Sequence, residues 1–190
     1  MRILIYSFFF FICILQLFSQ KHSEFSGQIL FENGQEDYAC YRIPAIVQLK
    51  NGKILSFVEG RVNGCDDFGD VDIVMKHSDD GGLNWSKQKI LINNRSSQAG
   101  NPAPVVDYHD PLFPSGRIFL FFNTGTQSEQ DVRNGNGDRG VWLITSEDFG
   151  SNWSPPKEIT RQVHFNKHSP HPEKDWRTHA NTPGHAIQFN

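Results

Sequence analysis

The feature that most constrains how this 190-residue chain can fold is an octad that occurs twice, 68 residues apart. It reads Ser78-Asp79-Asp80-Gly81-Gly82-Leu83-Asn84-Trp85 and then Ser146-Glu147-Asp148-Phe149-Gly150-Ser151-Asn152-Trp153. Both copies share the frame S-x-D-x-G-x-N-W, and each follows an apolar run. A repeat at a fixed offset marks the same point of equivalent structural units. The frame has the chemistry of a tight turn: Ser and Asp can hold local backbone N–H groups, Gly can take a positive φ, and Trp can pack over the turn. Turn stabilisation alone accounts for these residues, so they predict architecture and not a catalytic group.

The segments around the frame predict an all-β fold. YRIPAIVQL (41–49), KILSFVEG (53–60), DVDIVMKHS (70–78), GRIFLFFN (116–123) and GVWLITS (140–146) are rich in Val, Ile, Phe and Tyr. They are bounded by Gly, Asn, Asp and Pro, the pattern of short strands. Asn51-Gly52, Asp80-Gly81-Gly82 and Pro114-Ser115-Gly116 supply turn signals between them. No stretch carries a convincing helical period.

Residues 1–20, MRILIYSFFFFICILQLFSQ, place one basic residue before an apolar run too short for a comfortable span. That pattern reads as a secretory signal peptide, which leaves a domain over 21–190 and predicts a secreted or periplasmic protein; an uncleaved N-terminal anchor is the alternative. No later segment is apolar enough to span a bilayer. The formal net charge is −3 at pH 7, and one unit more negative once Arg2 is set aside with the leader. That balance argues against nucleic acid or an anionic membrane surface as partner. Cys13 falls in the leader, so Cys40 and Cys65 remain as a disulfide candidate in an exported chain. Spacing alone leaves open a bridge or two small buried residues.

The two octads resemble the Asp-box repeats of sialidases and related carbohydrate-active β-propellers. Tyr41-Arg42-Ile43-Pro44 resembles the Arg-Ile-Pro motif of sialidases, and Glu59-Gly60-Arg61 and Asp66-Asp67-Phe68-Gly69-Asp70 follow in that family's order. The resemblance covers residues 38–190 and implies a six-bladed β-propeller of the exo-α-sialidase (neuraminidase) type, with about its first half in this chain. Thr182-Pro183-Gly184-His185-Ala186-Ile187-Gln188 is similar to the family's mid-propeller segment, after which relatives continue for several more strands. The family's Tyr/Glu nucleophile pair has no counterpart here. The tyrosines beyond residue 20 are Tyr38, Tyr41 and Tyr108, all upstream of its place, so the chain alone is expected to be inactive.

The resemblance also implies roles. Arg42 takes the substrate carboxylate, because sialic acid is ionised at neutral pH and a planar guanidinium grips a carboxylate through two N–H groups. Arg61 matches a second pocket arginine, near the ring hydroxyl opposite that carboxylate. Asn101 stands near a position that often carries Asp and is a further substrate-binding candidate. Asp67, six residues after Arg61, is the expected general acid/base, with Asp66 as the second choice. The implied reaction is hydrolysis of terminal sialic acids from glycoproteins, glycolipids or oligosaccharides, with no metal or organic cofactor. A neutral tyrosine as nucleophile avoids the repulsion that a carboxylate would meet from the substrate's own carboxylate.

A non-catalytic sugar-binding propeller or a truncated inactive relic is the rival reading, and a glycosidase acting on neutral polysaccharide is the second. His164, His168 and His171 have metal-like spacing but no acidic or cysteine partners in register, so solvated loop histidines are expected and no metal. Asn84, Asn94 and Asn152 open glycosylation sequons, two of them by-products of the octads.

Overall fold

In a computed structural model the described residues are 27–165, 175–184 and 186–189. The predicted leader at 1–20, His168, His171 and His185 lie outside them. The five predicted runs form strands β1 (Cys40–Gln48), β2 (Ile54–Arg61), β3 (Val71–Ser78), β6 (Arg117–Gly125) and β7 (Arg139–Ser146). Three strands escaped the sequence reading: β4 (Lys89–Ile92), β5 (Gln98–Asp107) and β8 (Lys157–Glu158). So did two short helices, α1 (Glu129–Arg133) and α2 (Thr160–Val163).

The strands form two antiparallel units, β1-β2-β3-β4 and β5-β6-β7-β8. They are joined by a single parallel pair, Val71 with Gln98. In each unit the octad bridges the third and fourth strands, which is the structural equivalence that the repeat predicts. The two turns are built identically. Ser78 Oγ accepts the Gly82 N–H at 2.8 Å and donates to Asp80 Oδ1 at 2.8 Å. Asp80 holds Asn84 through its backbone N–H (2.9 Å) and its side-chain amide (2.7 Å). Trp85 closes the turn by donating to the Gly82 carbonyl at 3.0 Å. Ser146, Asp148, Gly150, Asn152 and Trp153 repeat every one of these bonds. The hydrogen bonds from Asn84 lower the Asp80 pKa to about 2.

The second turn also docks on the first unit. Trp153 meets Phe57 edge to face with ring centroids 6.0 Å apart, and a Cβ at Gly150 would stand 2.8 Å from Leu55 Cδ1. Gly150 is needed twice over, for that approach and for its φ of 84°. The shared core between the units contains Leu55, Phe57, Ile73, Met75, Ile118, Leu120, Phe122 and Ile144. Leu55, Phe57 and Ile73 are fully enclosed, each contributing roughly 1.5–3 kcal/mol.

Candidate functional site

Arg42, Arg61, Asp67 and Asn101 gather at one end of the sheets, where β1 and β5 begin and β2 ends. The first strands of the two units share a device there. β1 shifts register between Arg42 and Ala45, β5 between Gly100 and Ala103, and the residue before proline takes a positive φ in both: Ile43 (56°) and Asn101 (54°). A β-branched residue at such a φ is held there by its surroundings. The bulges re-aim the side chains on either side of them. Ile43-Pro44-Ala45 and Asn101-Pro102-Ala103 are thus equivalent, and Gly100 occupies in the second unit the place of Arg42 in the first.

Glu59 is the centre of the cluster, although the sequence reading passes over it as a site residue. It is buried beside Arg61, and its Oε2 accepts the Arg61 Nε–H at 3.0 Å and an Nη2–H at 2.6 Å. Its Oε1 accepts the Asn101 backbone N–H at 2.8 Å, across the boundary between the two units. A Cβ at residue 100 would stand 2.5 Å from that oxygen, so the glycine makes room for the carboxylate. Asn101 therefore reaches Arg61 through Glu59, while its own side-chain amide donates to the Thr182 carbonyl at 2.9 Å.

The loop after β2 completes the site. Cys40 and Cys65 are disulfide-bonded, which fixes the loop to the start of β1. Arg61 Nη1 donates to the Cys65 and Asp66 carbonyls, both at 2.6 Å. The same nitrogen reaches Asp67 Oδ1 at 3.0 Å, and Arg42 Nη1 reaches that oxygen at 2.6 Å. Of the two adjacent aspartates, Asp67 thus puts its carboxylate on the guanidinium groups, whereas Asp66 contributes its backbone carbonyl. The hydrogen bond from Arg61, helped by the charge of Arg42, holds the Asp67 pKa below the usual carboxylate range. Side chains of Arg42 and Asp67 are 43% and 74% exposed, so both are open to a ligand; Arg61, at 3%, is not.

His164 packs against Trp176 and His179, with the two imidazole centroids 5.3 Å apart. Burial, with the neighbouring His179, lowers its pKa, so it is an enclosed neutral ring and not the solvated loop residue that the sequence predicts. Among the described residues no group of three His, Cys, Asp or Glu is placed to hold a metal. No described helix is long and apolar enough to cross a membrane. The three sequon amides are all engaged, Asn84 and Asn152 with their octad aspartates and Asn94 with the Gln98 carbonyl.

Two arginines and a carboxylate converge at one end of a two-unit antiparallel scaffold, and the class that the fold defines is a sialidase-like β-propeller segment. The BNR repeat-like domain matches residues 44–189, and the chain belongs to that family. It is 29% identical over 171 residues to an exo-alpha-sialidase of Aspergillus fumigatus, covering 80% of this chain and 39% of the relative. It is 31% identical over 163 residues to Sialidase-2 of Rattus norvegicus, covering 81% and 40%. The chain thus spans about two fifths of the length of these relatives. Among solved structures, the Hadza microbial sialidase Hz136 superimposes with a TM-score of 0.58 at 24% identity, over 68% of this chain and 28% of that one.

Proposed function

We propose that this chain carries part of the active site of an exo-α-sialidase, with terminal sialic acids of glycoproteins, glycolipids or oligosaccharides as substrate. On this reading its two four-stranded units are blades of a six-bladed propeller. The observation that carries the reading is the convergence of Arg42 and Arg61 on one oxygen of the exposed Asp67. Arg42 receives the substrate carboxylate, which takes over the place that Asp67 Oδ1 holds in the free chain. Neutralising Arg42 in this way removes a cation from beside Asp67 and raises its pKa towards that of a proton donor. Asp67 then protonates the departing glycosidic oxygen, while the enclosed Arg61, itself held by Glu59, positions the Asp67 carboxylate. The nucleophile comes from outside these residues.

The test has two parts. The chain should bind free N-acetylneuraminic acid, observed by saturation-transfer NMR, and the Arg42→Ala variant should not. In a chain extended to the relatives' length, Asp67→Ala should slow release of poor leaving groups far more than of good ones. Binding that survives Arg42→Ala removes the assignment of the carboxylate, and equal losses for both leaving groups move the acid elsewhere.

A further inference from the structure

A second cleft, of about 550 Å³, opens beside Trp142 where the connection from β4 to β5 faces β7, β8 and α2. Asn94, Thr126, Asp138, Glu158 and Arg161 line it with the indole. The ring is fixed in place: it lies nearly parallel to Phe122, 19° apart with centroids at 6.5 Å, and its N–H donates to Thr124 Oγ1 at 2.8 Å. Gly140 is part of the arrangement, because a Cβ there would stand 2.6 Å from the indole nitrogen. Around this apolar surface stand two exposed carboxylates, Asp138 and Glu158, and the exposed Arg161. Arg161 has no hydrogen bond or ion pair among the described residues. Arg139, at the back, is engaged with Gln98 and with Glu129 at 3.2 Å.

The mixture selects a ligand chemistry. An anion would meet the Glu158 carboxylate at the rim, and a purely apolar ligand would strand the charged groups. A neutral pyranose can lay its C–H face on an indole and spread its hydroxyls to the Glu158 carboxylate and the Arg161 guanidinium. We propose that this cleft binds neutral hexose residues of the glycan beneath its terminal acidic sugar. The proposal rests on the sialidase reading above and extends it, from a pocket for one sugar to a preference for oligosaccharide substrates.

Position supports the link. Arg61 ends β2, Gln98 begins β5 beside Val71, Gly125 ends β6 and Arg139 begins β7, so both sites open at the same end of the strands. The strand-to-strand steps from β2 to β7 amount to roughly 20 Å, a span that a short oligosaccharide covers.

N-acetyllactosamine and free N-acetylneuraminic acid, titrated separately into the isotope-labelled chain, test the proposal. N-acetyllactosamine should shift the amide signals of residues 138–142 and 158–161 saturably. Arg161→Ala should weaken that binding about tenfold, the equivalent of one or two lost hydrogen bonds, and leave N-acetylneuraminic acid binding unchanged. Glu158→Gln, which keeps an acceptor for the Thr160 hydroxyl (2.8 Å), should weaken it as well. Absence of saturable shifts, or equal affinity in both variants, overturns the cleft assignment even if N-acetylneuraminic acid binds. Loss of N-acetylneuraminic acid binding alone would overturn the Arg42 reading and leave the neutral-sugar site standing.

Discussion

Truncating Glu59 to alanine should destabilise the protein by about 3–5 kcal/mol, because it leaves a buried guanidinium without its counter-charge. Glu59 and Arg61 are 1% and 3% exposed. The Arg61 Nη1 group is satisfied without Glu59, by the Cys65 and Asp66 carbonyls and by Asp67. Nε and Nη2 both turn to Glu59, as does the Asn101 backbone N–H, so the truncation orphans donors on both units. Asp67 is the internal control. It touches the same guanidinium but is 74% exposed, so Asp67→Ala should cost at most about 1 kcal/mol.

Urea unfolding at pH 7, followed by circular dichroism, separates the two variants. With a denaturant slope of about 2 kcal/mol/M, Glu59→Ala moves the midpoint down by roughly 2 M and Asp67→Ala by less than about 0.5 M. Replacing the pair together, Glu59→Leu with Arg61→Met, should recover most of the loss, since no buried charge then remains. A Glu59→Ala midpoint no lower than that of Asp67→Ala, or a double variant weaker than the single one, refutes the reasoning.

The disulfide and a second buried carboxylate yield further tests. Opening the Cys40–Cys65 bond, which spans 25 residues, should cost about 3 kcal/mol; melting curves that coincide with and without reductant would contradict this. Asp72 is buried, and burial raises its pKa, opposed by hydrogen bonds from Tyr38 (2.7 Å) and Asn93 (3.2 Å) to one oxygen. A raised folded-state pKa gives stability that is complete below the unfolded value and fades as the pH climbs through the folded one. Asp72→Asn should therefore raise the melting temperature at pH 7 and make little difference at pH 3. An equal gain at both pH values would exclude ionisation as the cause.

The strands that the sequence reveals are rich in β-branched or aromatic residues, and of them only β1 carries a proline, Pro44. β5 escapes because Gly100, Pro102 and Pro104 break its pattern; Pro102 lies in the bulge and Gly100 permits the close approach of Glu59. A signal for it exists in the echo of Ile43-Pro44-Ala45 by Asn101-Pro102-Ala103, a repeat as informative as the octad but shorter. β8 has two residues and α1 five, too short for any period to register. Arg42, Arg61 and Asp67 stand out because a resemblance marks them, and their charges sit at the open end of the sheets. Glu59 hides because it reads as part of a strand. Its role appears only when β5, 42 residues away, brings Asn101 against it.

The arrangement assigns rigidity and freedom to different partners. Arg61 is enclosed, bound on every nitrogen and tied through Glu59 to the second unit, so its position is set by the seam between the units. Asp67 sits on a loop held at Cys65 and is otherwise open, which suits the proposal that it leaves Arg42 when a substrate carboxylate arrives. The general-acid role proposed for Asp67 needs that freedom, because such a group must meet the leaving oxygen as a proton donor and yet rest as a counter-ion when no substrate is bound. If both arginines were as exposed as Arg42, the resting ion pairs would be weak and the loop would lack a fixed reference. If both were as enclosed as Arg61, no ligand carboxylate would reach them. One buried and one exposed guanidinium on the same Asp67 oxygen satisfies both demands.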